Sequence, residues 1–529
     1  MSGSRILAMA GIAGLVAAMT ACSSSAPKDP PRGSSIADLV AQADAAPTPT
    51  LAWEPCAAPL VGKVCATAQV PIDYAKPDGP KLGLAVLKQP AKDPAHRIGT
   101  LFTASGGPGG SGFEDAAGGE ILPGPLAERF DIVTFDQRGI GRSGKIRCFP
   151  NDEAAQQFWS RATLPPVNAE QERATEALSR EFAAACGANA GELLAHVTTA
   201  DAARDMDLLR RAVGDAKLTY EGGSYASYLG EVYGALFGER VRALQLTAMI
   251  DPDGYTNDSI ARQRDSALGT EQTAAEFLRQ CALAGRDRCA FGAEPGADPT
   301  AITARNKAVL DKVRQGGVTV GHGEQARTFS ATKIMAANTG LLYNSYEGWD
   351  ELAQLMVNLE RGAEGDPALV AGLIEGPANE YQPDFMAAFS AITCADAPVP
   401  RDPGIWPEKA REFAKDAPNY GPYWFYLVQS CASWPSPAQG YPQRFTGPWK
   451  FHNETPALLI NNRFDPITSL AFAQAAEQQL GNARLVVTEG AGHTPPGTCY
   501  QRIRDEYLID LRVPPAGFTC TPERKPFSE

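Results

Sequence analysis

The chain has 529 residues, with 61 acidic side chains against 48 basic ones and only 5 histidines. Its hydrophobic content of 44% and charged content of 21% are those of a globular protein with ample core, and the length allows two to four domains. This composition excludes a wholly disordered chain and a multi-span membrane protein, and the net charge of −13 excludes nucleic acid as the main partner, since phosphate binding needs clustered Lys and Arg. Eleven cysteines are many for a reducing cytosol and leave one without a mate.

Residues 1–21 combine Arg5 with an uncharged apolar run from 6 to 21, too short for a spanning helix and suited to a secretory signal. The junction Met19-Thr20-Ala21-Cys22 resembles a bacterial lipobox, which makes Cys22 the expected lipidation site. Residues 22–50, rich in Ser, Pro and Ala, read as a lipidated N-terminus and flexible tether. The ordered body is expected from residue 51.

The alternating stretches in residues 64–88, around the turn-former KPDGPK, predict a hairpin. Two buried strands follow, at 98–104 and 130–135. The first leads into Ser105-Gly106-Gly107-Pro108-Gly109-Gly110-Ser111-Gly112, the second into Asp136-Gln137-Arg138-Gly139-Ile140-Gly141-Arg142-Ser143. Thr198 and Thr199 cap a helix with apolar residues at a spacing of three to four. A strand from 218 then enters Gly222-Gly223-Ser224-Tyr225-Ala226-Ser227, followed by a helix apolar nearly all round. Strand, small residue, serine, small residue and buried helix is the layout of a nucleophile elbow centred on Ser224. Ser227 is the rival, but its neighbours two positions away, Tyr225 and Leu229, are too large for such a turn.

A strand at 244–250 ends beside Asp251, and about 214 residues then separate Ile250 from Asp465. That interval predicts an inserted lid or cap domain over 255–445, mainly helical (265–284, 303–314, 348–360, 407–415). It carries the aromatic groups Tyr343/Tyr346/Trp349 and 420–426, which serve as lid core or cleft wall. The remaining body, 51–254 and 446–529, is the catalytic core. A short strand at 457–460 runs into the loop of Asp465, and a last strand at 485–488 into the loop of His493. Catalytic groups gather at such strand ends. His493 is the expected base for Ser224, and Asp465 the acid that orients it, with Asp251 as a rival acid. The backbone N–H groups of Gly107 and Tyr225 are the expected oxyanion donors. The remaining histidines lack metal-ligand spacing, and neither a metal nor a cofactor is expected.

GGPGGSG with DQRGxGxS, then G-x-S-Y and the terminal D-P and G-x-G-H loops, resembles the proline iminopeptidase/tripeptidyl aminopeptidase family of α/β-hydrolases, including its secreted actinobacterial and mycobacterial envelope members. The resemblance covers most of the chain from residue 51. It implies an α/β-hydrolase fold, a mostly parallel sheet flanked by helices with a large, mainly helical lid insertion. It also implies the triad Ser224, Asp465 and His493 with the oxyanion donors Gly107 and Tyr225, cleavage of peptide bonds, and side activity on esters. Two positions depart from the family pattern. Ala226 replaces a common glycine, and Ser105 stands where many relatives have histidine.

An exopeptidase must also hold the substrate's α-ammonium, for which Glu114, Asp115, Asp251 and Asp253 are candidates, while Thr468, three residues after Asp465, is expected either as a hydrogen-bond partner at the site or as a helix N-cap. The expected function is a lipid-anchored, extracytoplasmic serine peptidase of the tripeptidyl aminopeptidase type. Its expected partners are a peptide or protein substrate in the cell envelope and the membrane that takes the lipid. A carboxylesterase or lipase on the same triad, or a non-catalytic binding lipoprotein, are the alternatives. With Cys22 reserved for lipid, ten cysteines remain, and their spacing suggests neighbouring pairs: Cys56–Cys65, Cys148–Cys186, Cys281–Cys289, Cys394–Cys431 and Cys499–Cys520.

Overall fold

Alternating apolar residues fix the first part of a ten-stranded sheet. The computed structural model describes residues 34–293, 299–376, 382–402, 404–435 and 443–528, so the expected signal at 1–21 and the lipid site Cys22 lie outside the described residues. Strand β1 (Glu54–Pro55) pairs antiparallel with β2 (Val64–Pro71), which pairs with β3 (Lys81–Gln89) as the expected hairpin. The buried runs that follow form a parallel series: β4 (Gly99–Ala104), β5 (Phe130–Phe135), β6 (Leu218–Gly223) and β7 (Val241–Thr247). After a short antiparallel pair, β8 (Val318–Val320) and β9 (Arg327–Phe329), come β10 (Ala457–Phe464), β11 (Ala483–Ala491) and β12 (Thr519–Cys520). The spatial order is β1-β2-β3-β5-β4-β6-β7-β10-β11-β12. Helices pack against this sheet, and the fold is that of an α/β-hydrolase.

Register aligns the carboxyl ends of the central strands. Ala104 pairs with Gly222, Gly223 with Thr247, Thr247 with Ile460, and Phe464 with Ala491. The loops after β4, β6, β7, β10 and β11 therefore leave the sheet along one edge. β7 stops at Thr247 rather than at 250 because Ala248 takes a positive φ of 50° and turns the chain, while its N–H still bonds Ile460 across the sheet. β10 runs through Phe464, four residues past its apolar part, because Asn461 and Asn462 find internal partners.

The ordered body begins before residue 51, which corrects the tether expected over 22–50. Residues Ile36–Ala45 form a helix capped by Ser35, whose side chain accepts from the Asp38 N–H. Leu39 and Ala43 are fully buried in the main core. Polar contacts reinforce the docking: Arg240 bonds both oxygens of Asp44, Arg211 bonds the carbonyls of Ala43 and Ala46, and Arg204 bonds Gln42. An apolar stripe of four residues, Ile36, Leu39, Val40 and Ala43, outweighs the Ser/Pro/Ala composition around it.

The insertion between β7 and β10 has two kinds of core. Helices Ser259–Ala284, Pro299–Arg314, Ala331–Leu341 and Glu347–Arg361 gather around Trp349, Phe277 and Met356 in a hydrophobic cluster of their own. Helix Pro383–Asp396 and the following residues instead join the main cluster, through Ala387, Ala391, Cys394, Trp406 and Phe425. No described helix is long and apolar enough to cross a membrane. Five disulfides close Cys56–Cys65, Cys148–Cys186, Cys281–Cys289, Cys394–Cys431 and Cys499–Cys520, the pairs that sequence proximity suggests.

Candidate active site

Ser224 sits between β6 and helix Tyr225–Phe237 with φ 57° and ψ −132°, a strained conformation that costs roughly 1–3 kcal/mol in a non-glycine residue. The turn leaves no room on its inner side. A Cβ on Gly222 would lie 2.6 Å from the Ala226 carbonyl oxygen and 2.6 Å from the Tyr220 hydroxyl. Ala226 is fully buried, and its carbonyl accepts from that hydroxyl at 2.8 Å. Alanine thus fits beside the nucleophile turn. Ser227, the rival nucleophile, braces the elbow instead: its hydroxyl donates to the Ser224 carbonyl at 2.7 Å and accepts from the Ile250 N–H at 3.0 Å.

Asp465 and His493 meet at the ends of β10 and β11. Both carboxylate oxygens of Asp465 lie 3.1 Å from His493 Nδ1. The Asp465 side chain is buried and also accepts from the N–H groups of Ile467 and Thr468, each at 2.9 Å, and from the Thr468 hydroxyl at 2.8 Å. That hydroxyl also lies 3.4 Å from His493 Nδ1. Thr468 is therefore a buried hydrogen-bond partner supporting the Asp465–His493 pair, and not a group open to substrate. Burial by itself lowers the His493 pKa, but the charge and hydrogen bond of Asp465 outweigh it, and the net direction is upward. Every one of these bonds uses Nδ1, so Nε2 is the nitrogen placed to exchange a proton with a nucleophile. The His493 N–H donates to the Tyr343 carbonyl at 2.7 Å, and the Tyr343 ring stands edge-on to the imidazole at 5.4 Å.

The glycine-rich loop after β4 approaches the serine directly. A Cβ on Gly106 would lie 3.1 Å from Ser224 Cβ and 3.5 Å from its Oγ, and Gly107 follows with φ 115°. The Asp136–Ser143 loop holds this loop in place. Gln137 donates to the Ser105 carbonyl at 3.1 Å, and Asp136 accepts from the Ser111 hydroxyl at 2.6 Å and from the Arg142 N–H at 2.8 Å. Arg138, fully buried, pairs with Asp205 and anchors the whole unit.

Other candidates fall elsewhere. Asp251 caps helix Pro252–Asn257 and accepts from Gln479 at 2.7 Å, a structural use, and the carboxylate beside His493 is that of Asp465. Glu114 and Asp115 are exposed in the first turn of helix Gly112–Ala117. Sequence reasoning missed Asn461 and Asn462. Asn461 accepts from the Met249 N–H and donates to the Thr468 carbonyl, while Asn462 donates to the Gly492 carbonyl at 2.7 Å. Two asparagines inside an apolar strand are the signal that could have found them.

This arrangement can carry out acyl transfer: a nucleophile at a strained turn, an oriented imidazole with a buried carboxylate behind it, and a glycine-rich loop against the nucleophile. Two family profiles match the chain, one described as alpha/beta hydrolase fold over residues 100–279 and one described as TAP-like protein over 417–520. The first contains Gly107 and Ser224, the second Asp465 and His493. A tripeptidyl aminopeptidase of Streptomyces lividans is 30% identical over 495 residues, covering 90% of this chain and 87% of that protein. Serine protease Hip1 of Mycobacterium tuberculosis is 29% identical over 487 residues, covering 88% and 90% of the two chains. Carboxylesterase B of the same species is 29% identical over 476 residues, covering 87% and 86%.

Proposed function

This chain belongs to the tripeptidyl aminopeptidase family of α/β-hydrolases and is a serine hydrolase, and from that premise we propose that it is an exported peptidase using Ser224, His493 and Asp465 as its triad. The observation that carries the reading is the buried Asp465–His493 pair at the same sheet edge as the strained Ser224.

In this mechanism His493 Nε2 takes the Ser224 hydroxyl proton as Oγ attacks the scissile carbonyl. The oxyanion that forms is held by the N–H groups of Tyr225 and Gly107. His493 then gives the proton to the leaving amine, and an acyl-enzyme remains on Ser224. Water, deprotonated by the same imidazole, releases the acid and restores the serine.

The likeness to a tripeptidyl aminopeptidase and to a serine protease over nearly the whole chain supports a peptide substrate. The similar likeness to a carboxylesterase supports ester hydrolysis on the same triad as the second reading. Five disulfides support an oxidising, extracytoplasmic location, and the Cys22 junction supports a lipid anchor there. The test compares Ser224→Ala with wild type on tripeptidyl chromogenic substrates, on their N-acetylated forms and on short-chain esters. Loss of turnover in a folded Ser224→Ala protein is the expected result, with kcat/KM highest for free N-termini. Undiminished rates in that variant overturn the triad, and a preference for esters overturns the peptidase.

A further inference from the structure

One helix of the insertion touches both sides of the proposed oxyanion hole. At the start of helix Pro383–Asp396, Phe385 packs on the glycine-rich loop so closely that a Cβ on Gly107 would meet its ring at 3.0 Å, and one on Gly109 its carbonyl oxygen at 2.9 Å. At the other end of the same helix, Asp396 reaches the elbow through one intermediary. Its carboxylate accepts from the Thr199 N–H at 2.8 Å and from the Thr199 hydroxyl at 2.6 Å. The Thr199 hydroxyl lies 2.5 Å from the hydroxyl of Tyr225, the residue directly after Ser224. All three side chains are buried, between 1% and 2% exposed.

The proton order in this chain follows from chemistry. An ionised carboxylate only accepts, so Thr199 must donate to Asp396 and accept from the Tyr225 hydroxyl. The relay Tyr225→Thr199→Asp396 is thus unique while Asp396 carries its charge. A protonated Asp396 can itself donate to Thr199, and the order is lost.

We propose that Asp396 is a positioning residue for the oxyanion hole, holding the Tyr225 ring, and with it the backbone N–H beside the nucleophile, through Thr199. The proposal rests on the reading of Ser224 as nucleophile and Tyr225 as donor. It makes the seating of an insertion helix a condition of catalysis, since that helix also bears on Gly107.

The charged and titratable groups facing Asp396 come from four elements. Asp201 lies in helix Thr199–Ala212, Tyr225 and Tyr228 in the elbow helix, Tyr255 in helix Pro252–Asn257, and Arg444 in the segment before β10. Burial lifts the Asp396 pKa, Thr199 and Arg444 lower it, Asp201 raises it, and the result is about 7. Loss of the Asp396 charge therefore adds to the protonation of His493 on the acid side of the activity profile.

The experiment measures kcat, KM and the pH dependence of kcat/KM for Asp396→Asn, Asp396→Glu and Tyr225→Phe, beside Ser224→Ala and a fluorophosphonate titration of active sites. Loss of a whole oxyanion donor costs about 10²–10³ in kcat, so a misplaced one is expected to cost about tenfold. Asp396→Asn should lose that factor in kcat with KM nearly unchanged, and its acid limb should fall from a limiting slope of about 2 to about 1. Asp396→Glu should restore the steeper limb. Tyr225→Phe should show a similar loss and make a further Asp396→Asn change nearly silent. Wild-type kcat and slope in both Asp396→Asn and Tyr225→Phe overturn the proposal, as does a loss of kcat matched by an equal loss of titratable sites. If Ser224→Ala keeps its turnover, the underlying assignment of the nucleophile fails instead, whatever the Asp396 variants do.

Discussion

Replacing Asp465 by asparagine separates the charge of the buried acid from its shape. The carboxylate receives His493 Nδ1 at 3.1 Å on both oxygens, together with two backbone N–H groups and the Thr468 hydroxyl. Asparagine can keep the backbone bonds through its carbonyl oxygen, but it presents an amino group where one acceptor stood and carries no charge. Two unit charges about 4 Å apart attract by about 4 kcal/mol at an effective dielectric of roughly 20. That attraction supports the imidazolium formed when His493 accepts the serine proton, and losing most of it slows kcat by about 10²–10⁴. The pH profile adds a sign. Burial favours neutral His493, and Asp465 opposes it strongly enough that the net direction is upward. Without the Asp465 charge the imidazole stays neutral to lower pH, so the acid limb of the residual activity moves down. The assay is kcat/KM against pH on a tripeptidyl chromogenic substrate, with circular dichroism to establish folding. A folded Asp465→Asn enzyme within tenfold of wild type, or with an acid limb that stays put or moves up, refutes the reasoning.

Two further outcomes test the elbow and the N-terminal helix. Gly222→Ala places a methyl 2.6 Å from a backbone carbonyl, so the turn must shift; activity and fluorophosphonate labelling should fall together, with a stability loss of about 1–3 kcal/mol by guanidinium unfolding. Wild-type labelling in that variant would show the turn to be looser than its geometry. Leu39→Ala empties a fully buried site under helix Ile36–Ala45 and should destabilise by about 2–5 kcal/mol, whereas a chain truncated before residue 51 that unfolds like wild type would deny that helix any structural role.

Much of the site was legible because its chemistry is written locally. A strained serine turn demands small neighbours, and the loops of Asp465 and His493 each follow an apolar strand, so the turn at Ser224 and the two loops could be read from short windows as candidates. The disulfides could be read from proximity for the same reason. What stayed hidden depends on distant partners. Thr199 reads only as a helix-capping residue until Asp396, 197 residues away, is beside it. Asn461 and Asn462 look like a loop because their partners, Met249 and Gly492, come from the loops that follow two other strands. The insertion reads as a single lid because helical periodicity does not reveal which core a helix joins, and helix Pro383–Asp396 joins the main one. Residues 36–45 read as spacer because Ser, Ala and Pro dominate their surroundings, although four apolar positions suffice for docking.

The docked N-terminal helix also sets a leash. If Cys22 is lipidated, only residues 23–33 lie between the anchor and the first described residue, Ser34. Fully stretched, that span reaches at most about 40 Å. A catalytic body held on so short a line would sweep only a shell of that depth above the bilayer. On that condition, peptides would be processed within that reach of the membrane surface.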